Sequence, residues 1–173
     1  MRPRILVAGI GNIFLGDDGF GVEVVQRLAR KSLPENVRVI DFGIRGFDLT
    51  MALLEDLDLV ILADVAPRGG PPGAIYVIEP DPATGNSEAE QSPMLDPHSL
   101  DPVKVLQLVK SMGGQPARVL VVGCEPENVI GDEDWDVTPG LSQPVARAVD
   151  EAVAVIESLI EEAARHQFAQ SAQ

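Results

Sequence analysis

The residues able to do chemistry are Asp17, Asp18, Asp41, Asp64 and His98. Asp17 and Asp18 are adjacent inside the turn Gly9-Ile-Gly-Asn-Ile-Phe-Leu-Gly-Asp-Asp-Gly-Phe-Gly21. A glycine turn of that kind usually holds phosphate on backbone N–H groups and the positive end of a helix. Two carboxylates repel phosphate and attract a cation, so this turn is nucleotide-like in backbone and metal-like in charge. Asp64 closes the apolar run that starts at Leu59, and Asp41 closes the run that starts at Val37. His98 and His166 are the two histidines. Two carboxylates with one imidazole make an open site for a divalent metal. Each residue also has a plainer reading. Asp17 or Asp18 can cap the helix that follows, Asp64 can stabilise a turn, and His98 can be a surface or capping residue.

The surrounding elements decide which residues can meet. Residues 4–8 are a continuous apolar run, the pattern of a strand buried on both faces. Gly21, Val24, Val25 and Leu28 then mark one face of a helix. Residues 37–41 form a second strand, and 46–56 a helix with Leu49, Ala52 and Leu53 on its inner face. Residues 59–64 form a third strand. These are two right-handed βαβ units. The Pro/Gly-rich segment 66–73 is too short for a crossover helix, so strand 4, over 74–78, has to run antiparallel. Residues 79–97 read as an acidic, Pro-rich mobile loop that acts as a lid. Pro102 opens a third helix with Val105, Leu108, Val109 and Met112 along one face. Residues 119–123 form strand 5, and 124–140 an acidic loop. Ser142 is placed to cap a long last helix, with a tail that frays from about His166.

The expected architecture is a three-layer α/β/α sandwich in one domain over 1–173. Its five-stranded mixed sheet has the order 2-1-3-5-4, with strand 4 antiparallel. In such a sheet the helices after strands 1 and 3 leave on opposite faces, and the crevice between those strands is the ligand site. Asp18 lies just past strand 1 and Asp64 at the end of strand 3. A return of His98 over that rim completes the set.

Composition narrows the function. The chain carries 27 acidic and 13 basic residues, a formal charge of −14. That argues against nucleic acid or an anionic membrane as partner. One cysteine rules out an internal disulfide and fits a reducing compartment. No apolar run approaches the roughly 20 residues of a membrane span. The start runs straight into a strand without a signal peptide. The expectation is a cytoplasmic monomer. Other motifs fail on single residues. Phe14 stands where a dinucleotide fingerprint needs its third glycine, and Asp17 follows Gly16 where a P-loop needs lysine. Cys124 reads as a buried structural thiol rather than a nucleophile.

The glycine turn is similar to the signature of the hydrogenase maturation endopeptidases. The resemblance extends through Asp41-Phe-Gly43, Ile61-Leu-Ala-Asp64, Pro97-His98 and Leu141-Ser-x-Pro-Val145, over about residues 4–160. It implies that the chain removes the C-terminal extension of a nickel–iron hydrogenase large-subunit precursor after nickel insertion. It implies that Asp18, Asp64 and His98 are both metal ligands and catalytic residues, with Asp17, Asp41 and Arg45 in support. The metal it implies is nickel carried by the substrate, with no catalytic metal resident in the protease. Arg45 stands where many relatives have a small residue, which bears on the choice of large subunit. Two other functions use some of the same features. A nickel-site checkpoint or chaperone without hydrolysis would use the same ligands. The peptidyl-tRNA hydrolases share the general architecture and a glycine–Asn turn, but the acidic charge opposes an RNA substrate.

Overall fold

The computed structural model describes residues 3–81, 102–115, 117–128 and 139–170, the last four by backbone alone. Five strands form one sheet: β1 (Ile5–Ile10), β2 (Val37–Gly43), β3 (Leu59–Val65), β4 (Ile75–Ile78) and β5 (Arg118–Cys124). Their order is β2-β1-β3-β5-β4. β2, β1, β3 and β5 run parallel, and β4 pairs with β5 antiparallel. The short 66–73 connection leaves no other direction for β4.

Alternation along the inner strands builds two cores. Ile5 and Val7 of β1, Leu59 and Ile61 of β3, and Leu120 and Val122 of β5 face one side. There they meet Val24, Val25 and Leu28 of α1 (Phe20–Leu28) and Val145, Val149, Ala152 and Ile156 of α4 (Gln143–Gln170). Leu6, Ala8, Val60, Leu62, Val119 and Val121 face the other side. They meet Leu49 and Leu53 of α2 (Gly46–Leu53) and Val105, Leu106 and Val109 of α3 (Pro102–Ser111). This is the expected sandwich. β2, at an edge, is only half-buried, which fits its mixed sequence.

Several boundaries differ from the sequence reading. α2 ends at Leu53 rather than near residue 56. Glu55, Asp56 and Asp58 follow, and negative charge at a helix C-terminus is unfavourable. They bond elsewhere: Glu55 to Arg38, and Asp56 to Arg4. On α3 Val105 and Val109 are buried as expected, but the third buried position is Leu106: Leu108 is only half-buried and Met112 is exposed. Met112 lies past the helix end, where Gly114 N donates back to Val109 O at 3.0 Å. α4 continues through His166 to Gln170, and His166 Nε2 lies 3.3 Å from Glu162 one turn back. The loop expected at 79–97 lies outside the described residues beyond 81, as does His98. No helix among the described residues is long and apolar enough to cross a membrane.

Candidate active site

The site is set by how closely α1 sits on the sheet. A Cβ built on Gly21 would stand 2.0 Å from Ala63 O and 2.3 Å from Ile10 O. One on Gly9 would stand 2.3 Å from Val25 Cγ2. The first turn of α1 therefore rests directly on the ends of β1 and β3. Before it, Gly16–Gly19 forms a single 3-10 turn. Gly11 makes the reversal out of β1 at φ +126°, and a Cβ there would meet the carbonyl of Asp18 at 1.8 Å. Only glycine serves at that position. The chain thus folds Asp18 back over the carboxyl end of β1, beside β3.

Asp18 is half-buried, and its Oδ2 accepts the Asn12 N–H at 2.6 Å. Burial pushes its carboxyl above the ordinary aspartate range, and the Asn12 hydrogen bond only partly opposes this. A cation is the partner that would relieve a carboxylate so placed. Asp64 lies near the end of β3, in register with Gly123 of β5. Its Oδ1 accepts the Val65 N–H at 2.8 Å. The two aspartates thus occupy neighbouring strand ends at the switch point. Among the described residues no three His, Cys, Asp or Glu side chains gather as a metal site. His98, the expected third member, lies outside them.

Asp41 is one strand further out. It is exposed, pairs with Gly9 in the sheet, and its Oδ2 accepts from Gln26 Nε2 of α1 at 3.4 Å. Arg45 is spent on its own loop. Its guanidinium donates to the carbonyls of Asp41 and Phe42, pairs with Asp48 at 3.2 Å and lies over the Phe42 ring. It fixes the β2–α2 turn. Neither Asp17 nor Asp18 caps the turn or the helix with its side chain. Asp17 is buried and accepts from Glu127 N, Ser142 N and Ser142 Oγ. Ser142 precedes α4 as expected, with its carbonyl accepting from Ala146 N, but its hydroxyl goes to Asp17 instead of the helix.

One polar residue was not singled out from the sequence. Glu125, just past β5, is only 5% exposed. Its carboxylate receives the N–H groups of Arg68 and Gly69 and the Tyr76 hydroxyl, all between 2.9 and 3.1 Å. Burial raises its pKa, but these donors outweigh it and hold the carboxyl below the usual glutamate range. It locks the 66–74 connection that leaves β3 just after Asp64. The readable signal was an acid directly behind an apolar strand, opposite a Gly-Gly pair. Cys124 beside it is fully buried, and burial above all, with Asp17, Glu125 and Glu151, pushes its thiol up to about 12. Such a thiol is no nucleophile near neutral pH.

The comparisons with known proteins bear on the family and the fold. The model of the hydrogenase maturation protease family matches residues 22–159. A protein of Methanocaldococcus jannaschii carrying the hydrogenase maturation protease name is 36% identical over 158 residues, which span 90% of this chain and 95% of that protein. The hydrogenase maturating endopeptidase of Escherichia coli has the same fold at TM-score 0.70 and 26% identity, covering 92% of this chain and 93% of that one. The hydrogenase 2 maturation peptidase from Thaumarchaeota archaeon SCGC_AB-539-E09 is 33% identical at TM-score 0.64, covering 90% of this chain and 97% of that one. By this family match and these likenesses in sequence and fold, the chain belongs to the hydrogenase maturation protease family and is a protease.

Proposed function

We propose that this protease removes the C-terminal extension from the large-subunit precursor of a nickel–iron hydrogenase, and that Asp18, Asp64 and His98 engage nickel carried by that substrate. The observation that supports this best is Asp18: a half-buried carboxylate with a raised pKa, folded over the β1 end beside β3, which carries Asp64 next to its last residue. Such a pair favours a divalent cation over an anion. A substrate that brings the cation makes correct metal insertion a condition of cleavage. The same contact sets the scissile peptide beside a carboxylate or a metal-polarised water. Cleavage takes place in the cytoplasm, on a monomeric enzyme with no metal of its own.

The rim also suits a partner of protein size. Ile13 and Phe14 are exposed on the loop after β1, Ile44 on the loop after β2, and Phe47 on the first turn of α2. The loops are joined by the Gly11 N–H donating to Gly43 O at 3.0 Å. Exposed apolar side chains grouped around a crevice mark protein contact.

The test is direct. Purified precursor, loaded with nickel or kept free of it, is mixed with the protease, and its C-terminus is read by mass spectrometry. The nickel-loaded precursor should be shortened and the nickel-free one left intact. His98→Ala should remain folded and lose processing by orders of magnitude. Equal cleavage with and without nickel, or full activity in folded His98→Ala, overturns the reading.

A further inference from the structure

We propose that Asp17 is the positioning residue for Asp18: by clasping both ends of the β5–α4 connection, it holds the Gly16–Gly19 turn, and with it the Asp18 carboxylate, over the crevice. This rests on the reading of Asp18 as the residue that faces the substrate metal.

The two aspartates are neighbours in sequence with different work. Asp17 is 4% exposed, and no ion pair among the described residues includes it. A buried carboxylate without a cation persists only if hydrogen bonds replace its water. Asp17 has three. Oδ1 takes the Ser142 N–H at 2.7 Å, and Oδ2 takes the Glu127 N–H at 2.9 Å and the Ser142 hydroxyl at 3.0 Å. The donors come from 110 and 125 residues further along the chain. Glu127 follows β5 and Ser142 precedes α4, so one side chain ties three segments together.

The chemistry demands a carboxylate. Each oxygen receives a backbone N–H, so both must be acceptors. An amide offers one acceptor and turns two hydrogens toward the other donor. Asparagine would suffice for a turn or a helix cap, but it cannot make this clasp. Asp18 has little else to fix it. Its backbone N–H reaches Leu15 O at 3.1 Å, within the same turn, and its side chain has the Asn12 N–H. If the turn is released from Glu127 and Ser142, Asp18 moves with it.

The test uses the intact chain, with Asp17→Asn and the milder Ser142→Ala. Two readouts separate positioning from general stability. One is hydrogen exchange at the Asn12 amide, which donates to Asp18, measured relative to the Val7 amide in the core of β1. The other is calorimetric affinity for nickel ion alone, well below the melting temperature of each variant. Asp17→Asn should speed Asn12 exchange relative to Val7 by about tenfold or more and weaken nickel binding by roughly 10- to 100-fold, the range seen when outer-shell partners of a metal ligand are removed. Ser142→Ala should shift both in the same direction by a smaller factor. Folded Asp17→Asn with wild-type Asn12 protection overturns the proposal. If Asp17→Asn does not fold, Ser142→Ala decides, and unchanged Asn12 protection there overturns it equally. Wild-type protein that binds no nickel would sink the metal reading of Asp18. The Asn12 measurement would still decide what Asp17 does.

Discussion

Replacing Gly21 with alanine tests whether the packing of α1 sets the site. The added Cβ would lie 2.0 Å from Ala63 O and 2.3 Å from Ile10 O, more than an ångström inside ordinary contact at 3.4 Å. Both obstacles are backbone carbonyls on adjacent strands, so no side chain can turn aside. The helix has to lift, and overpacking of this kind costs about 1–3 kcal/mol or more. With two backbone clashes, the upper end applies. At about 3 kcal/mol a chain of this length loses roughly 6–12 °C in Tm. It stays folded if its stability is the usual 5–15 kcal/mol or so.

The function should suffer more than the stability. Lifting α1 carries the Asp18 turn off the sheet, while Asp64, next to Ala63, stays with β3. A misplacement of about 1 Å can cost on the order of 100-fold in rate. Thermal melting and nickel-loaded precursor processing, measured well below the melting point, would show both effects. Gly113→Ala is the control. Its φ is +82° but the space around it is open, so it should cost about 1 kcal/mol in backbone strain and leave processing unchanged. Wild-type melting in Gly21→Ala would refute the packing argument. A melting loss with wild-type processing would refute the link from helix to site.

Three further outcomes follow from the other polar groups. Asp18→Asn should abolish nickel binding yet melt no lower than wild type at about pH 7. The folded pKa of Asp18 is raised, so ionising it opposes folding as pH rises through that pKa, and the neutral amide escapes the penalty; a clearly lower Tm at that pH would contradict it. Glu125→Gln should lower Tm at neutral pH and lose its disadvantage in acid. The folded pKa of Glu125 is depressed, so its stabilisation is present above the unfolded pKa and is lost as pH falls through the folded one; a Tm difference that is flat with pH would argue against this. Cys124→Ala should process precursor normally, and native Cys124 should resist iodoacetamide at about pH 8 with its thiol held near 12; rapid labelling of folded protein would show the site is not closed.

Most of the fold was legible because its signals are local. β1, β3 and β5 read as unbroken apolar runs because both their faces are covered. The direction of β4 followed from the length of 66–73 alone. The end of α2 is also written in the chain, in the acids from Glu55 onward, although the apolar spacing runs on past them to Leu57. Met112 and Leu106 both fit a helical face. The choice between them depends on where α3 stops and on its packing against α2, and spacing carries neither.

The polar pairings were not legible, for a different reason. Asp17 and Asp18 are the same residue type side by side, and local rules offered both the same work, a cap or a ligand. Their roles diverge only through donors more than a hundred residues away. Asp17 is buried with three donors, so its charge is already answered inside the protein. Asp18 is half-buried with one backbone donor to its carboxylate, and its pKa rises. Glu125 follows the logic of Asp17: a buried acid fully supplied with donors, binding one loop to another. A carboxylate whose burial is not compensated is the one left to recruit a cation from outside. On that criterion Asp18, rather than its neighbour or Glu125, is the carboxylate on which the proposed metal contact rests.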